Sequence, residues 1–304
     1  MDAPAPLSVI VGSSDARTTV EACLGALVGP CRRVGAELIV VDNSEDGTDA
    51  LVRERFPDIR LLRTPDTRYI PELWGVGIEA SEGAVVALTT AHCVPASDWV
   101  DCVLEAHATS SAAGIGGAIE NDPAGTTTDW AIYFCRYHAF MPPLEAGSVR
   151  DIAGDNASYK RWALDRYREA WRDGFWEPDV HAEILREGGE LHLDPSIVVR
   201  HRHSFDARSF VRNRFRHGQQ YGGSRGGRLE VGGRIARVLG APLVPAVLTG
   251  SVARAVLRDD DRDRGSDRRR TAHFVRSLPL IGLFYASWAV GEAAGYLGSG
   301  RGGA

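Results

Sequence analysis

The feature that most constrains the fold is a repeated alternation of short aliphatic runs, polar loops and helical segments. Four runs have the composition of strands: Leu7–Val11, Glu37–Val41, Ile59–Leu62 and Ala84–Leu88. Helical spacing of apolar residues follows the first three runs, as in Thr18–Leu27. Continuous apolar character is typical of strands that are buried on both faces. The pattern predicts an α/β fold, with a mostly parallel sheet and helices on both of its faces.

Polar loops follow three of these strands, at the edge where an open parallel sheet binds its ligands. They are Gly12–Asp15, Asp42–Thr48 and Thr89–His92. In the second loop, the carboxylate of Asp42 could accept hydrogen bonds from a ribose or a base. Alternatively, the loop forms only a turn and caps the next helix. Because we expect this loop at the surface, replacing Asp42 should affect a ligand more than the fold.

Two common nucleotide sites are not expected. The first loop has one glycine, Gly12, where a dinucleotide fingerprint needs G-x-G-x-x-G, and no G-x-x-x-x-G-K-[ST] occurs. The five cysteines include no C-x-x-C pair, and no basic segment precedes an apolar run at the N-terminus. We therefore expect an intracellular front domain with reduced thiols, no zinc ribbon and no signal peptide.

The charge is divided unevenly along the chain. Residues 200–304 contain 19 Arg and 8 acidic residues, although the whole chain has a formal net charge of −5. Between Phe205 and Arg216, aromatic residues fall near one helical face and arginines on the others, which is typical of a helix at a membrane surface. A core helix is the alternative. Nucleic-acid binding is not expected, since no recognition motif occurs and the front of the chain is acidic.

Two apolar stretches near the C-terminus raise the question of a membrane. Val238–Leu257 and Leu278–Leu297 each have roughly the 20 residues that a spanning helix needs, but Arg254 and Glu292 interrupt them. A hairpin would also place the seven arginines of Arg258–Arg276 outside, against the preference for basic loops in the cytoplasm. We expect interfacial or re-entrant packing, with two spans as the alternative.

Several segments of the chain follow one another in a characteristic order. They are Ser8–Val11, V-V-D-N-S-x-D-G-T at Val40–Thr48, Gly77–Ala80, a strand ending near Pro95 and Trp99, Gly154–Ala157, and a Glu-containing helix before His201. In this order they resemble the inverting family 2 glycosyltransferases of GT-A fold, over about residues 7–203. The resemblance implies transfer of a sugar from a nucleotide diphosphate donor to a hydroxyl group. It predicts a GT-A domain over residues 1–203, and the basic, apolar composition of residues 204–304 predicts a helical, membrane-associated region.

The resemblance also implies a donor site at the three polar loops. Its predicted residues are Asp15, Asp42, Ser44, Asp46, Thr90 and His92. The family usually holds Mg²⁺ or Mn²⁺ with Asp-x-Asp, whose positions are Thr90 and His92 here. Threonine does not replace a carboxylate ligand. His92 and His201, with His203 beside it, are the candidate metal ligands, and we expect at most a weak dependence on metal.

An inverting transfer also needs a base near the acceptor hydroxyl. The family places a carboxylate at the head of the late helix, where this chain has Glu177 and Asp179. We predict Glu177 as the base and Asp179 as second choice; an acidic pair that merely complements the helix dipole is the alternative. Gly154, Asp155 and Asn156 match the family segment that flanks the acceptor cleft, or form a simple turn.

These features together predict a hexosyltransferase-like enzyme at the cytoplasmic face of the cell membrane. A glycan or lipid-linked acceptor, as in cell-envelope polysaccharide biosynthesis, is expected from the membrane attachment alone. The first alternative is a glycosyltransferase-like membrane protein that binds nucleotide sugars without catalysis. The second is a non-enzymatic membrane scaffold without affinity for nucleotide diphosphates.

Overall fold

The computed structural model describes residues 5–64, 66, 69–202, 206–227, 229–258 and 267–298. The strands are β1 Leu7–Ser13, β2 Glu37–Asp42, β3 Arg60–Arg63, β4 Val85–Thr90, β5 Cys93–Pro95, β6 Gly114–Asn121, β7 Gly147–Val149, β8 Asn156–Lys160 and β9 Leu191–His201. The α-helices are α1 Val20–Val34, α2 Thr48–Arg55, α3 Ile70–Glu79, α4 Trp99–Thr109, α5 Thr127–Tyr137, α6 Arg161–Arg166, α7 Arg168–Trp171, α8 Glu177–Arg186, α9 Ala207–Gly226, α10 Val231–Gly240, α11 Val244–Arg258 and α12 Asp267–Gly298. A 3₁₀ helix, Ala241–Leu243, connects α10 to α11.

The described residues form two compact units. The first consists of the described parts of Met1–Asp122 and Phe140–Ser204, and the second of those of Pro123–Ala139 and Phe205–Ala304. The second unit is thus built from two separate pieces of the chain, since α5 packs with the helices that follow residue 205. The amphipathic pattern of α5 alone does not indicate this.

All nine strands of the described chain belong to one sheet in the first unit. Its order is β3-β2-β1-β4-β8-β6-β9-β5, with β7 paired to β9. Strands β1 to β4 are parallel, as are β6 and β9, whereas β8 is antiparallel to both of its neighbours. The sheet is therefore mixed, and the expected α/β, GT-A-like fold is confirmed.

Both faces of the central strands are buried. Ile10 and Ile39 face one layer, where they pack with apolar residues of α3 and α6 to α8. Successive strand residues point to opposite faces, and Val9 and Val11 are also fully buried. The centre of the sheet is thus covered on both faces, which explains why β1, β2 and β4 contain continuous apolar runs rather than alternating ones.

Helices α9 and α12 of the second unit pack with their backbones in close contact. Methyl groups built at Gly218 and Gly291 would lie 2.2 and 2.1 Å from the carbonyl oxygens of Trp288 and Phe215. These distances leave no room for any larger residue. The Phe210 ring, which we expected on a membrane-facing side, packs edge-on against Phe284 of α12 at 4.6 Å. Phe205, predicted for the same face, lies outside the described residues.

Helix α5 packs against α12 within the second unit. Trp130 stacks on His273 at 4.3 Å, and Phe134 meets Phe274 edge-on at 5.6 Å. Two segments, Val231–Leu257 and Arg269–Gly298, are long and apolar enough to cross a membrane. Length and composition alone are weak support for membrane association, because core helices of soluble proteins share both.

Candidate active site

The parallel strands bring the predicted donor loops together. Ser13 lies opposite Asp42 in the register of β1 and β2, Asp42 opposite Arg63 in β2 and β3, and Gly12 opposite Thr90 in β1 and β4. The carboxyl ends of four neighbouring strands therefore form one edge, as expected for a ligand site in an open α/β sheet.

Asp42 lies fully buried at the centre of this edge. Its Oδ1 accepts a hydrogen bond from Ser44 Oγ at 2.5 Å, and its Oδ2 accepts one from the Arg63 guanidinium. Arg63 Nη1 also donates to the carbonyl of Ser44 at 2.9 Å. The expectation that the residue belongs to a surface loop is wrong for this side chain, because Arg63 and Ser44 enclose it.

Asp15 connects the first loop to the second. Its backbone N–H donates to Ser44 Oγ at 2.8 Å, and its Oδ1 accepts a hydrogen bond from the Glu45 N–H at 3.1 Å. The residue has a φ of +46°, in the left-handed region that Asp tolerates better than most residues. Asp15, Asp42 and Ser44 thus form one hydrogen-bonded group.

Asp46 is exposed, and hydrogen bonds from the loop itself occupy its carboxylate. Oδ1 accepts from the N–H and hydroxyl of Thr48, at 3.0 and 2.5 Å, and Oδ2 from the Arg17 N–H at 3.0 Å. Partial burial opposes ionisation, but these bonds outweigh it and lower the pKa of Asp46. The contacts match the alternative in which this residue shapes the turn before α2.

Thr90 and Asp155 meet because β8 begins beside the end of β4. Thr90 Oγ1 donates to Asp155 Oδ1 at 3.1 Å, and Thr89 Oγ1 donates to the Asp155 carbonyl at 2.9 Å. Both Thr90 and Asp155 are buried. A carboxylate from the predicted acceptor segment therefore lies next to the position where the family usually has an aspartate.

The two candidate metal-binding histidines are both buried. His92 Nδ1 lies 3.3 Å from the hydroxyl of Thr19, and His201 pairs with Cys93 in the register of β5 and β9. His203 lies outside the described residues. In the part of the chain that the structure describes, no group of three or more His, Cys, Asp or Glu side chains could hold a metal ion.

Glu177 is the first residue of α8 and lies against Gly154. The Gly154 N–H donates to Glu177 Oε1 at 3.2 Å. A Cβ atom at Gly154 would lie 2.7 Å from that oxygen and 2.5 Å from the Trp74 ring. Only glycine lets the loop before β8 approach the carboxylate this closely.

The surroundings of Glu177 change its acidity. Burial raises its pKa to about 7, and the charges of Asp155 and Asp151 act in the same direction, against backbone hydrogen bonds that include the one from Gly154. Glu177 is thus close to half ionised at neutral pH, as suits a group that exchanges a proton during a reaction. Asp179, on the same helical turn, is exposed to solvent.

Asn156 is buried and bonded to the sheet. Its amide N–H groups donate to the carbonyls of Ala118 and Ile197, each at 2.9 Å, and its Oδ1 accepts from the Trp99 indole N–H at 2.8 Å. These bonds join β6, β8 and β9 and leave little capacity for a ligand. An acceptor-binding role for Asn156 stays a prediction.

Two residues at this edge were not expected from the sequence. Arg63 ends β3 directly opposite Asp42. The sequence feature that could have indicated its role is a basic residue at the end of a predicted strand. Trp74 of α3 donates its indole N–H to the Thr89 carbonyl at 2.8 Å and contacts Gly154. Its position within an apolar helix indicates a core residue, so no signal in the sequence distinguishes it.

Sequence comparison assigns the chain to a family. Residues 8–168, just over half of the chain, match the family described as Glycosyl transferase family 2. The chain therefore belongs to glycosyl transferase family 2 and is a glycosyltransferase that uses a nucleotide-sugar donor. No curated protein matches the sequence significantly.

Two solved structures share the fold. One is mannosyltransferase PcManGT from Pyrobaculum calidifontis in complex with GDP-Man and Mn²⁺, with 18% identity, a TM-score of 0.55, and coverage of 94% of this chain and 88% of that chain. The other is GalNAc-T7 with UDP, GalNAc and Mn²⁺, with 15% identity, a TM-score of 0.50, and coverage of 68% and 45%. At sequence identities of 15% and 18%, these similarities show that this chain shares the fold of the two structures.

Proposed function

We propose that this glycosyltransferase transfers a hexose with inversion to a hydroxyl group of a glycan or lipid-linked acceptor, at the cytoplasmic face of the cell membrane. The observation that carries the proposal is Glu177, a half-buried carboxylate whose pKa is raised to about 7 and which lies at the head of α8. It takes the role of general base, while Asp179, which is exposed, is the second candidate.

The hydrogen-bonded group at the end of β2 supports a donor site. Asp15, Asp42 and Ser44 are joined by hydrogen bonds of 2.5 to 2.8 Å. The exposed Asp15 carboxylate can accept hydrogen bonds from the hydroxyl and N–H groups of a nucleoside, and the buried Asp42 would hold Ser44 and Arg63 in position for it. Arg63 adds a guanidinium that is paired with the buried Asp42 carboxylate. Asp46 would act through the loop, since its own carboxylate is bonded to Thr48 and Arg17.

The residues at the usual Asp-x-Asp positions fit a hard divalent cation poorly. Thr90 donates its hydroxyl to Asp155, and His92 offers one imidazole that also contacts Thr19. The two structural relatives contain Mn²⁺, whereas Thr90 and His92 offer at most one good ligand for it. We propose instead that His92, His201 and nearby arginines neutralise the leaving diphosphate.

On the acceptor side, the loop of Gly154 and Asp155 places backbone and carboxylate groups next to Glu177. The incoming hydroxyl would lose its proton to Glu177 as its oxygen forms the new bond to the anomeric carbon. The bond from that carbon to the diphosphate oxygen breaks with its electron pair. The negative charge that develops on the diphosphate would then be neutralised by the groups proposed above, His92, His201 and nearby arginines.

A screen of nucleotide sugars by thermal shift tests the donor assignment. A ligand at 100 times its dissociation constant stabilises the folded chain by about 2.7 kcal/mol. The relatives bind GDP and UDP compounds, so both bases belong in the screen, with free nucleoside monophosphates as the control. A melting temperature that no nucleotide diphosphate raises would contradict the proposal.

The residues Thr90 and His92 also favour the alternative of donor binding without transfer. Turnover measured on polyprenyl phosphate and oligosaccharide acceptors, with and without a chelator, distinguishes the two. We expect transfer that persists in the chelator. Binding of the donor without any transfer would favour the alternative, and loss of activity that Mn²⁺ restores would show His92 and His201 to be metal ligands.

A further inference from the structure

The second unit exposes most of the large apolar side chains at the surface of the described chain. Eleven of the thirteen exposed large hydrophobic residues belong to it. Five of these form a row with a spacing of four residues along α10, the 3₁₀ helix and α11: Val231, Ile235, Leu239, Leu243 and Val247, which are 53–75% exposed. A spacing of four makes a continuous ridge on a helix surface, here about 24 Å long.

Within Val231–Leu257 the charges have one sign: the segment contains three arginines and no acidic residue, and it follows Glu230, the N-cap of α10. Elsewhere in the unit, α9 contains five arginines and no acidic residue. An apolar ridge flanked by arginines complements a bilayer with anionic head groups, where the ridge enters the acyl region and the arginines remain at the head-group level. A second copy of the chain would bring these arginines together instead.

The packing of α9 on α12 decides how the unit meets the bilayer. The two helices run parallel and side by side, from Phe210 beside Phe284 to Gly222 beside the carbonyl of Glu292. If α12 crossed the bilayer, α9 would enter the hydrocarbon with it. An arginine at the bilayer centre costs at least about 2.5 kcal/mol. The five arginines of α9 make this arrangement unfavourable.

The same packing excludes a single crossing by α10 and α11. These helices lie between α9 and α12 in the chain, and a single crossing would place α9 and α12 on opposite sides of the bilayer. Their direct contact requires the connecting segment to begin and end on one side.

We propose that the second unit binds an anionic lipid bilayer from one side, with the ridge Val231–Val247 lying in the membrane plane and α9 at the head-group level. This deepens the membrane location given in the proposed function and does not depend on the transfer chemistry. The partner is the lipid surface itself.

Flotation of the full-length protein with lipid vesicles tests the ridge. We expect binding to phosphatidylcholine vesicles that contain phosphatidylglycerol, weaker binding to pure phosphatidylcholine, and a decrease with added salt. The double variant Leu239→Ser/Leu243→Ser should lower the partition coefficient by about tenfold or more. Trp162→Ser, which removes an exposed aromatic residue of the first unit, is the matched control. Unchanged flotation of the double variant, or its conversion from dimer to monomer without a change in flotation, would overturn the proposal.

Labelling with a membrane-impermeant maleimide tests the one-sided arrangement. The variants Ala272→Cys, at the start of α12, and Trp162→Cys, each in a Cys102→Ser background, are expressed in bacteria; the other native cysteines are buried. Both should react in inside-out membrane vesicles and not in spheroplasts. Labelling of Ala272→Cys in spheroplasts would show a spanning hairpin and contradict the proposal. Donor binding, measured separately by thermal shift, should be equal in both variants.

Discussion

At the scale of single residues, the proposed site contains two carboxylates with different surroundings. Asp42 is buried and paired with the Arg63 guanidinium, whereas burial and the nearby charges of Asp155 and Asp151 raise the pKa of Glu177 to about 7. The first carboxylate accepts hydrogen bonds from Ser44 and Arg63, and the environment of the second suits a group that gains and loses a proton.

Glu177→Gln should lower kcat by about 10²–10⁴ while donor affinity persists, because the variant cannot accept a proton. In the unmodified enzyme, kcat/KM should rise with pH up to about 7 and then level off, since the base acts in its ionised form. The measurement is a pH-rate profile with a fixed donor and acceptor. Asp179→Asn is the control and should keep both the rate and the profile. Full activity of Glu177→Gln would move the base to Asp179 or Asp155.

The same variant should be more stable than the native chain at high pH. The pKa of Glu177 is raised from 4.5 to about 7 on folding, so ionisation destabilises the folded state fully above pH 7 and not at all below pH 4.5. Removing the charge should raise stability by about 1–3 kcal/mol at pH 8.5 and leave it unchanged at pH 4. Denaturant unfolding at the two pH values checks this. An equal effect at both would indicate a packing change instead.

Asp42→Ala should weaken donor binding by about 1–3 kcal/mol, the cost of a buried partner left without its hydrogen bond. Because Arg63 also loses its ion pair, the variant should unfold at a lower temperature as well. Calorimetry with the donor and thermal melts measure the two effects. Asp58→Ala, which removes an exposed carboxylate paired with Arg32, is the control and should change neither. Unchanged affinity of Asp42→Ala would remove Asp42 from the site.

At the scale of helices and strands, β1, β2 and β4 could be predicted because their apolar runs are largely buried on both faces and each ends in a polar loop. The antiparallel pairing of β8 and the contact between Arg63 and Asp42 could not be predicted, because both depend on which strands lie side by side. For the same reason the contact between Thr90 and Asp155 could not be foreseen, as 65 residues separate them in the chain. Local sequence patterns specify individual helices and strands, whereas the pairing of distant strands is determined only by the complete fold.

Helices α9 and α12 supply a test of packing at this scale. Gly218→Ala and Gly291→Ala should each destabilise the protein by roughly 1–3 kcal/mol, because the added methyl group would overlap a backbone carbonyl and force the helices apart. Gly223 lies in α9, as Gly218 does, but a methyl group there would meet no atom within 4 Å. Gly223→Ala should therefore be neutral or stabilising by about 0.5–1 kcal/mol. Thermal melts of the three variants make the comparison. Equal melting temperatures would show that the two helices separate easily.

At the scale of the whole molecule, the placement of α5 limits how the chain can be divided. The chain leaves the first unit after Asp122 and returns at Phe140, whose carbonyl accepts a hydrogen bond from Ile119 N–H at 2.9 Å. The points of departure and return are therefore neighbours. A fragment that ends at residue 204 would retain α5 without the α12 surface that covers Trp130 and Phe134. It should aggregate during size-exclusion chromatography. Replacing residues 123–139 with a short glycine-rich turn in the same fragment should yield a soluble monomer, so that a catalytic core can be produced by one internal deletion together with one terminal cut.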